Sequence, residues 1–146
     1  MAGGWLFDQV MAGWDVTVVT ADEADERPLR ILGVRGHDLE DALSFPVQGP
    51  CPQAIAVRAE LYGADARVRR LVRAAAEGER TDIRVWGDEW PDDLDGKTDV
   101  VSHRLSAAAR AFKAQAVAAA AAAAAFEPAS YTEVFRRAAI RRLALA

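Results

Sequence analysis

Trp14-Asp15-Val16-Thr17-Val18-Val19-Thr20 and Pro28-Leu29-Arg30-Ile31-Leu32-Gly33-Val34 decide the fold class of this chain. The first is rich in β-branched residues, which suit a pleated surface, and the second sets Leu, Ile and Val behind a proline. Both read as strands. Thr81 to Trp86, with Ile83 and Val85 alternating, reads as a third. Ahead of it, Ala64 to Glu77 reads as a helix whose apolar stripe is Val68, Leu71, Val72 and Ala75, rimmed by Arg67, Arg69, Arg70 and Arg73. Helix followed by strand is the recurring unit of an α/β layer. The expected class is therefore α/β: a small sheet of three or four strands flanked by helices. The link between the first two strands is short, so their relative direction stays open.

Working outward, Gly4 to Ala12 reads as a short helix stopped by Gly13, since glycine reaches left-handed dihedrals easily. Asp38 to Leu43 reads as a brief helix capped by Asp38 or its neighbour. Phe45 to Pro52, with three prolines and a glycine, reads as a rigid loop. Residues 53–62 admit two readings. Ile55, Val57 and Ala59 alternate as in a strand, whereas Ile55, Arg58 and Tyr62 can share a helical face. The glutamate and alanines of the second half favour the helix.

The C-terminal part is dominated by alanine. From Asp99 to Phe126 there is neither proline nor glycine, and residues 118–125 are eight consecutive alanines. Alanine has the highest helix propensity, so the stretch reads as one rod of about 40 Å. Leu105, Phe112, Ala119 and Phe126 recur along one side of it. Glu127-Pro128-Ala129 breaks the rod. Ser130 and Glu133 then fit a capping box for a short terminal helix, with Tyr131, Val134, Phe135 and Ala138 on one face and Arg136, Arg137, Arg141 and Arg142 on its flank. The expected organisation is an α/β core over 1–98, with an acidic loop at 87–98, and a helical extension over 99–146.

Composition narrows the classes. A chain of 146 residues is long enough to bury one sizeable core. Hydrophobic residues make up 51%, but much of that is alanine, so the core rests on Leu, Ile, Val, Phe and four tryptophans. No strongly apolar run is long enough for a membrane span, and the start of the chain lacks the basic region of a secretory signal. A single cysteine, Cys51, excludes an internal disulfide framework. The default location is cytoplasmic. Arginine's excess over lysine, with abundant alanine, suggests a GC-rich bacterial genome. Net charge is −4 but unevenly placed, because the acids of residues 82–99 precede the arginines of residues 100–146. Opposed fields of this kind can orient a partner or a second copy of the chain.

Catalytic constellations are weak. Asp22 and Glu23 follow the first expected strand, and Asp88 and Glu89 the third. On parallel strands these acids would meet at one carboxyl edge, where a carboxylate pair can hold Mg²⁺ against a phosphoryl group. Gly33-Val34-Arg35-Gly36 lacks a full phosphate-binding fingerprint. Gly3-Gly4 precedes a helix whose amides could attract an anion. Cys51, His37 and His103 could supply three zinc ligands but have no ligand spacing. The arginines of residues 67–73 form a basic edge, but the chain is acidic and has no nucleic-acid reading motif.

The residues therefore point to a non-catalytic protein-binding, regulatory or assembly subunit with no cofactor and no metal. Its partner is another protein or a second copy of itself. The expected contacts are Leu105, Phe112, Phe126, Tyr131, Phe135, Arg136, Arg137 and Arg141, because aromatic anchors and forked arginines dominate protein interfaces. The alternatives are an atypical Mg²⁺-dependent phosphoryl-transfer or phosphate-ester-hydrolysing enzyme and a weak nucleic-acid-binding module.

Overall fold

The computed structural model describes residues 2–21, 26–44, 52–77, 81–88, 98–120 and 130–138. Mixed α/β architecture holds across them, with helices flanking two sheets. Gly13 (φ 89°) closes helix α1 (Gly3–Met11), as expected. Its N–H donates to Val10 O at 2.9 Å while Trp14 N–H donates to Gln9 O at 3.1 Å. Those paired bonds make a Schellman cap, which requires a left-handed residue.

The same device overturns the expected second strand. Gly33 (φ 74°) closes helix α2 (Glu26–Ile31), through Gly33 N–H to Arg30 O and Val34 N–H to Leu29 O, each at 3.1 Å. Pro28 lies in the first turn, where its missing N–H forfeits no helical bond. Strand β2 (Arg35–Asp38) begins only afterwards and pairs in parallel with β1 (Thr17–Thr20), Thr17 opposite Arg35 and Thr20 opposite Asp38. All four β2 residues are exposed, so this strand has no apolar pattern to read. The helix at 38–43 forms as α3 (Leu39–Ser44), with Asp38 Oδ1 accepting the Glu40 and Asp41 N–H groups at 2.8 and 3.2 Å.

The chain divides into two compact units, Met1–Gln48 with His103–Glu133, and Gly49–Ser102 with Val134–Ala146. In the first, α1 and α2 both pack on helix α6 (Ala107–Ala120). Phe7, Leu32, Val34, Leu105, Ala109 and Ala116 form its buried core, with Leu6, Val10, Leu29 and Ile31 packed around them.

In the second unit, strands β3 (Ala54–Arg58) and β4 (Asp82–Trp86) are parallel, linked by helices α4 (Ala59–Ala64) and α5 (Ala66–Glu77). They belong to a four-stranded sheet of order β3-β4-β6-β5, completed by β5 (Thr98–Arg104) and β6 (Thr132–Ala138). Val57, Tyr62, Val68, Val72, Ile83, Val85 and Phe135 are its large buried apolar residues. Both readings of 53–62 thus hold in turn: the alternating half is β3, and the Ala/Glu half is α4. Asp65, in extended conformation, separates α4 from α5 and accepts the Arg67 N–H at 2.7 Å.

Two helical expectations are corrected. The rod does not start at Asp99, because Thr98 and the two valines that follow Asp99 favour the pleated conformation and form β5. Ser106 then starts α6, its Oγ accepting the Ala109 N–H at 3.0 Å, and the described helix has 14 residues. The expected terminal helix is also absent over 132–138, which is strand β6. Ser130 does not cap a helix; its Oγ accepts the Thr132 N–H at 3.3 Å in a local turn. Residues 1, 22–25, 45–51, 78–80, 89–97, 121–129 and 139–146 lie outside the described residues, among them Asp22, Cys51, Phe126 and Arg141. Among the described residues, no helix is long and apolar enough to cross a membrane.

The glycine cap gives a paired test. Gly33→Ala forces a Cβ into left-handed backbone and is expected to lose about 1–2 kcal/mol. Gly63→Ala, in α4 with open space around its Cα, is expected to gain up to about 1 kcal/mol. Urea unfolding of the two variants measures both signs.

Candidate functional site

Glu133 is a buried carboxylate at the amino end of α1. Its Oε1 and Oε2 accept the backbone N–H groups of Gly4 at 3.0 Å and Trp5 at 2.8 Å. Lys113 Nζ lies 2.7 Å from Oε1, and both side chains are largely shielded from solvent. The first amides of a helix have no intrahelical acceptor, and the helix dipole favours negative charge there. The anion-attracting end of α1 is therefore occupied by a side chain of the same chain. Gly4 is fitted closely as well: a Cβ there would lie 2.6 Å from Leu105 Cδ1.

A second polar cluster joins α1 to the start of α6. His103 Nε2 donates to Asp8 Oδ2 at 2.8 Å, and Ser106 N–H donates to the same oxygen at 3.2 Å. Burial opposes the Asp8 charge, but hydrogen bonds from Ser106 and His103, with attraction to His103, outweigh it and hold the carboxyl below its ordinary value. The residue types are those of a nucleophilic triad, but the order differs. In such a triad the imidazole stands between hydroxyl and carboxylate. Here the carboxylate stands between imidazole and serine, and Ser106 Oγ accepts an amide of α6. The cluster fastens a helix start.

The expected contact residues separate into used and available groups. Leu105 and Phe135 are buried, Phe135 to 1% exposure. Arg137 Nε donates to Asp82 Oδ1 at 2.6 Å, and Arg136 is half-buried opposite Val85. Phe112 is 45% exposed and stacks on Phe7, with ring centroids 4.6 Å apart. Tyr131 is 67% exposed, with the Arg110 guanidinium 4.7 Å from its ring centre. Phe126 and Arg141 lie outside the described residues.

Met11, outside the expected contacts, is 69% exposed and stands one helical turn beyond Phe7. Its helical spacing is legible in the sequence, but its exposure depends on what packs beside α1. Along α6 the two charged residues turn to partners inside the unit, Arg110 to Tyr131 and Lys113 to Glu133. The exposed positions are Ala107, Ala108, Ala111, Phe112, Ala114, Gln115, Ala118 and Ala120, all uncharged.

β1 and β4 belong to different sheets, and of the carboxylates expected at their ends Asp22, Glu23 and Glu89 lie outside the described residues. Among the described residues, no group of three or more His, Cys, Asp or Glu side chains is gathered to hold a metal. Within the basic edge of α5, Arg69 Nη2 donates to Gly63 O at 2.6 Å, and Arg67 Nη2 meets Asp65 Oδ2 at 2.8 Å. Hydrogen bonds from Arg67 hold the Asp65 carboxyl at about 2. Those two arginines finish and start helices. No protein-family model, curated protein or solved structure matches the chain.

Glu133→Gln should cost about 3–5 kcal/mol in denaturant unfolding, because Lys113 is left as an uncompensated, shielded charge. Adding Lys113→Met should restore part of that loss, which a double-mutant cycle measures. For Asp8 the sign follows from its depressed value: it stabilises the fold above the unfolded value of 3.8, and this contribution disappears as pH falls through the lower folded value. The stability gap between wild type and Asp8→Asn should therefore be full at neutral pH and close below pH 3.8 in pH-dependent thermal unfolding.

Proposed function

We propose that the protein is a non-catalytic binding or assembly subunit, and that the face of α1 and α6 bearing Met11 and Phe112 receives another protein or a second copy. The observation that carries the reading is the uncharged outer surface of α6. Depletion of charge beside exposed aromatic and methionine side chains characterises the centre of protein interfaces. Alanines at the exposed positions let a partner helix approach closely. Phe112 and Met11 supply the larger area that alanine lacks, and Phe112 is already oriented by its stack on Phe7.

The regulatory part of the reading rests on composition alone: opposed charge along the chain can order the approach of a partner. Catalysis has less support, since the polar clusters of the first unit spend their hydrogen bonds on helix ends.

Native mass determination of the intact assembly from cells, followed by light scattering of the purified chain, tests the proposal. A complex or self-associated species is expected, and Phe112→Glu and Met11→Glu should each weaken it at least about tenfold, equivalent to 1.4 kcal/mol. A chain that stays monomeric at high concentration and carries no partner would overturn it, as would association that both variants leave unchanged.

A further inference from the structure

We propose that Tyr131 is a phosphorylation site and that Arg110 is placed to hold the phosphate. The two side chains already meet within the first unit, where the Arg110 guanidinium carbon lies 4.7 Å from the centre of the Tyr131 ring. Tyr131 is 67% exposed, and among the described residues its hydroxyl has no hydrogen-bond partner, so the ring stands clear for a modifying enzyme. Its backbone is nevertheless held. Leu105 N–H donates to Tyr131 O at 3.0 Å, and the flanking Ser130 Oγ donates to Thr132 O at 2.6 Å. The ring therefore lies beside the first turns of α6, where Arg110 N–H donates to Ser106 O at 3.1 Å.

Arg110 stands apart from Lys113, Arg30 and Arg35, which are paired with Glu133, Glu26 and Asp15. Among the described residues it has no carboxylate partner and no side-chain hydrogen bond, and its Nε is buried without an acceptor. Buried donors are as a rule satisfied, so this one asks for an explanation. The Tyr131 ring attracts the guanidinium through its π face, but that face offers the N–H groups no oxygen. The acids bonded to α6 are already committed: Asp8 accepts from His103 and Ser106, and Glu133 from Gly4, Trp5 and Lys113.

A phosphate on Tyr131 Oη supplies the missing acceptor. It brings three acceptor oxygens and nearly two negative charges to the edge of the ring that Arg110 covers. The guanidinium is a planar fork whose donors match phosphate oxygens in parallel. Rotation about the last torsions of Arg110 carries that fork from the ring face to the ring edge, where Nε and an Nη can donate together. One cation–π contact is thereby exchanged for two charge-assisted hydrogen bonds, the stronger interaction. The amino end of α6 adds to the attraction, because its dipole is positive and no acidic residue occupies its first turn. The reaction is phosphoryl transfer from a nucleoside triphosphate bound by a separate kinase. Tyr131 Oη bonds to the terminal phosphorus as the bond to the bridging oxygen breaks. The nucleoside diphosphate leaves with that electron pair, and the phenolic proton passes to the kinase's base.

Two measurements test the site. Mass spectrometry of the full chain isolated from its native cells, with phosphatases inhibited, should find phosphate on Tyr131 rather than on Ser130 or Thr132. In ³¹P NMR of the full chain carrying phosphotyrosine at 131, the second ionisation, about 6 when free, should be lowered by at least about one pH unit, because an adjacent cation favours the dianion. Arg110→Gln should return it to the free value, and Arg110→Lys, which keeps the charge without the fork, should leave it between the two. A titration that Arg110→Gln leaves unchanged would show that Arg110 does not hold the phosphate. A chain from cells with no phosphate on Tyr131 would show that the residue is not modified. Either result overturns the proposal.

Discussion

A buried carboxylate needs enough donors to offset its lost hydration, and in this chain Glu133 finds them in Gly4, Trp5 and Lys113. The requirement binds residues almost the whole chain apart. Glu133 caps the amino end of α1 and gives Lys113 of α6 an acceptor. Gly4 itself is required by the approach of Leu105, which leaves no room for a side chain. The first unit has an alanine-rich helix with little bulk to interlock. A directional polar clamp supplies positional specificity that alanine contacts lack.

The Asp8 cluster extends the same logic one helical turn further. Glu133 secures the first amides of α1, and Asp8, from the middle of that helix, secures His103 and the first turn of α6. Catalytic residue types therefore occur here in a structural arrangement. His103 meets the Asp8 carboxylate, and Ser106 Oγ accepts the Ala109 N–H. The remaining surface of α6 is left to small uncharged residues and Phe112, beside which Met11 of α1 is also exposed.

Legibility in the sequence follows the range of the deciding interaction. Gly13, the alternation of Ile83 with Val85, and the stripe of Val68 and Val72 are set by neighbours within a turn or a strand, and each was readable. Residues 53–62 carry two local signals in succession, so a single assignment had to fail for half of them. Leu29 to Val34 was misread because a Schellman turn with flanking apolar residues imitates β alternation. Arg35–Asp38 was missed because an exposed strand has no apolar period. Of the candidate sites, Phe112 and Tyr131 were visible as large side chains in a small-residue context. Met11 was not, since its exposure depends on what packs beside it.

By itself, the sequence determined the α/β class, the first helix and its glycine stop, the Asp38-capped turn, and the helix–strand succession from Ala66 to Trp86. These depend on propensity, period and caps, which act between residues a few positions apart. Tertiary structure alone decided that β1 and β2 run parallel, that Thr98–Arg104 and Thr132–Ala138 become strands, and that Glu133 caps α1 across the chain. Those outcomes are set by strand pairing and by satisfying buried charge, and both require partners that lie far away in the chain until it folds.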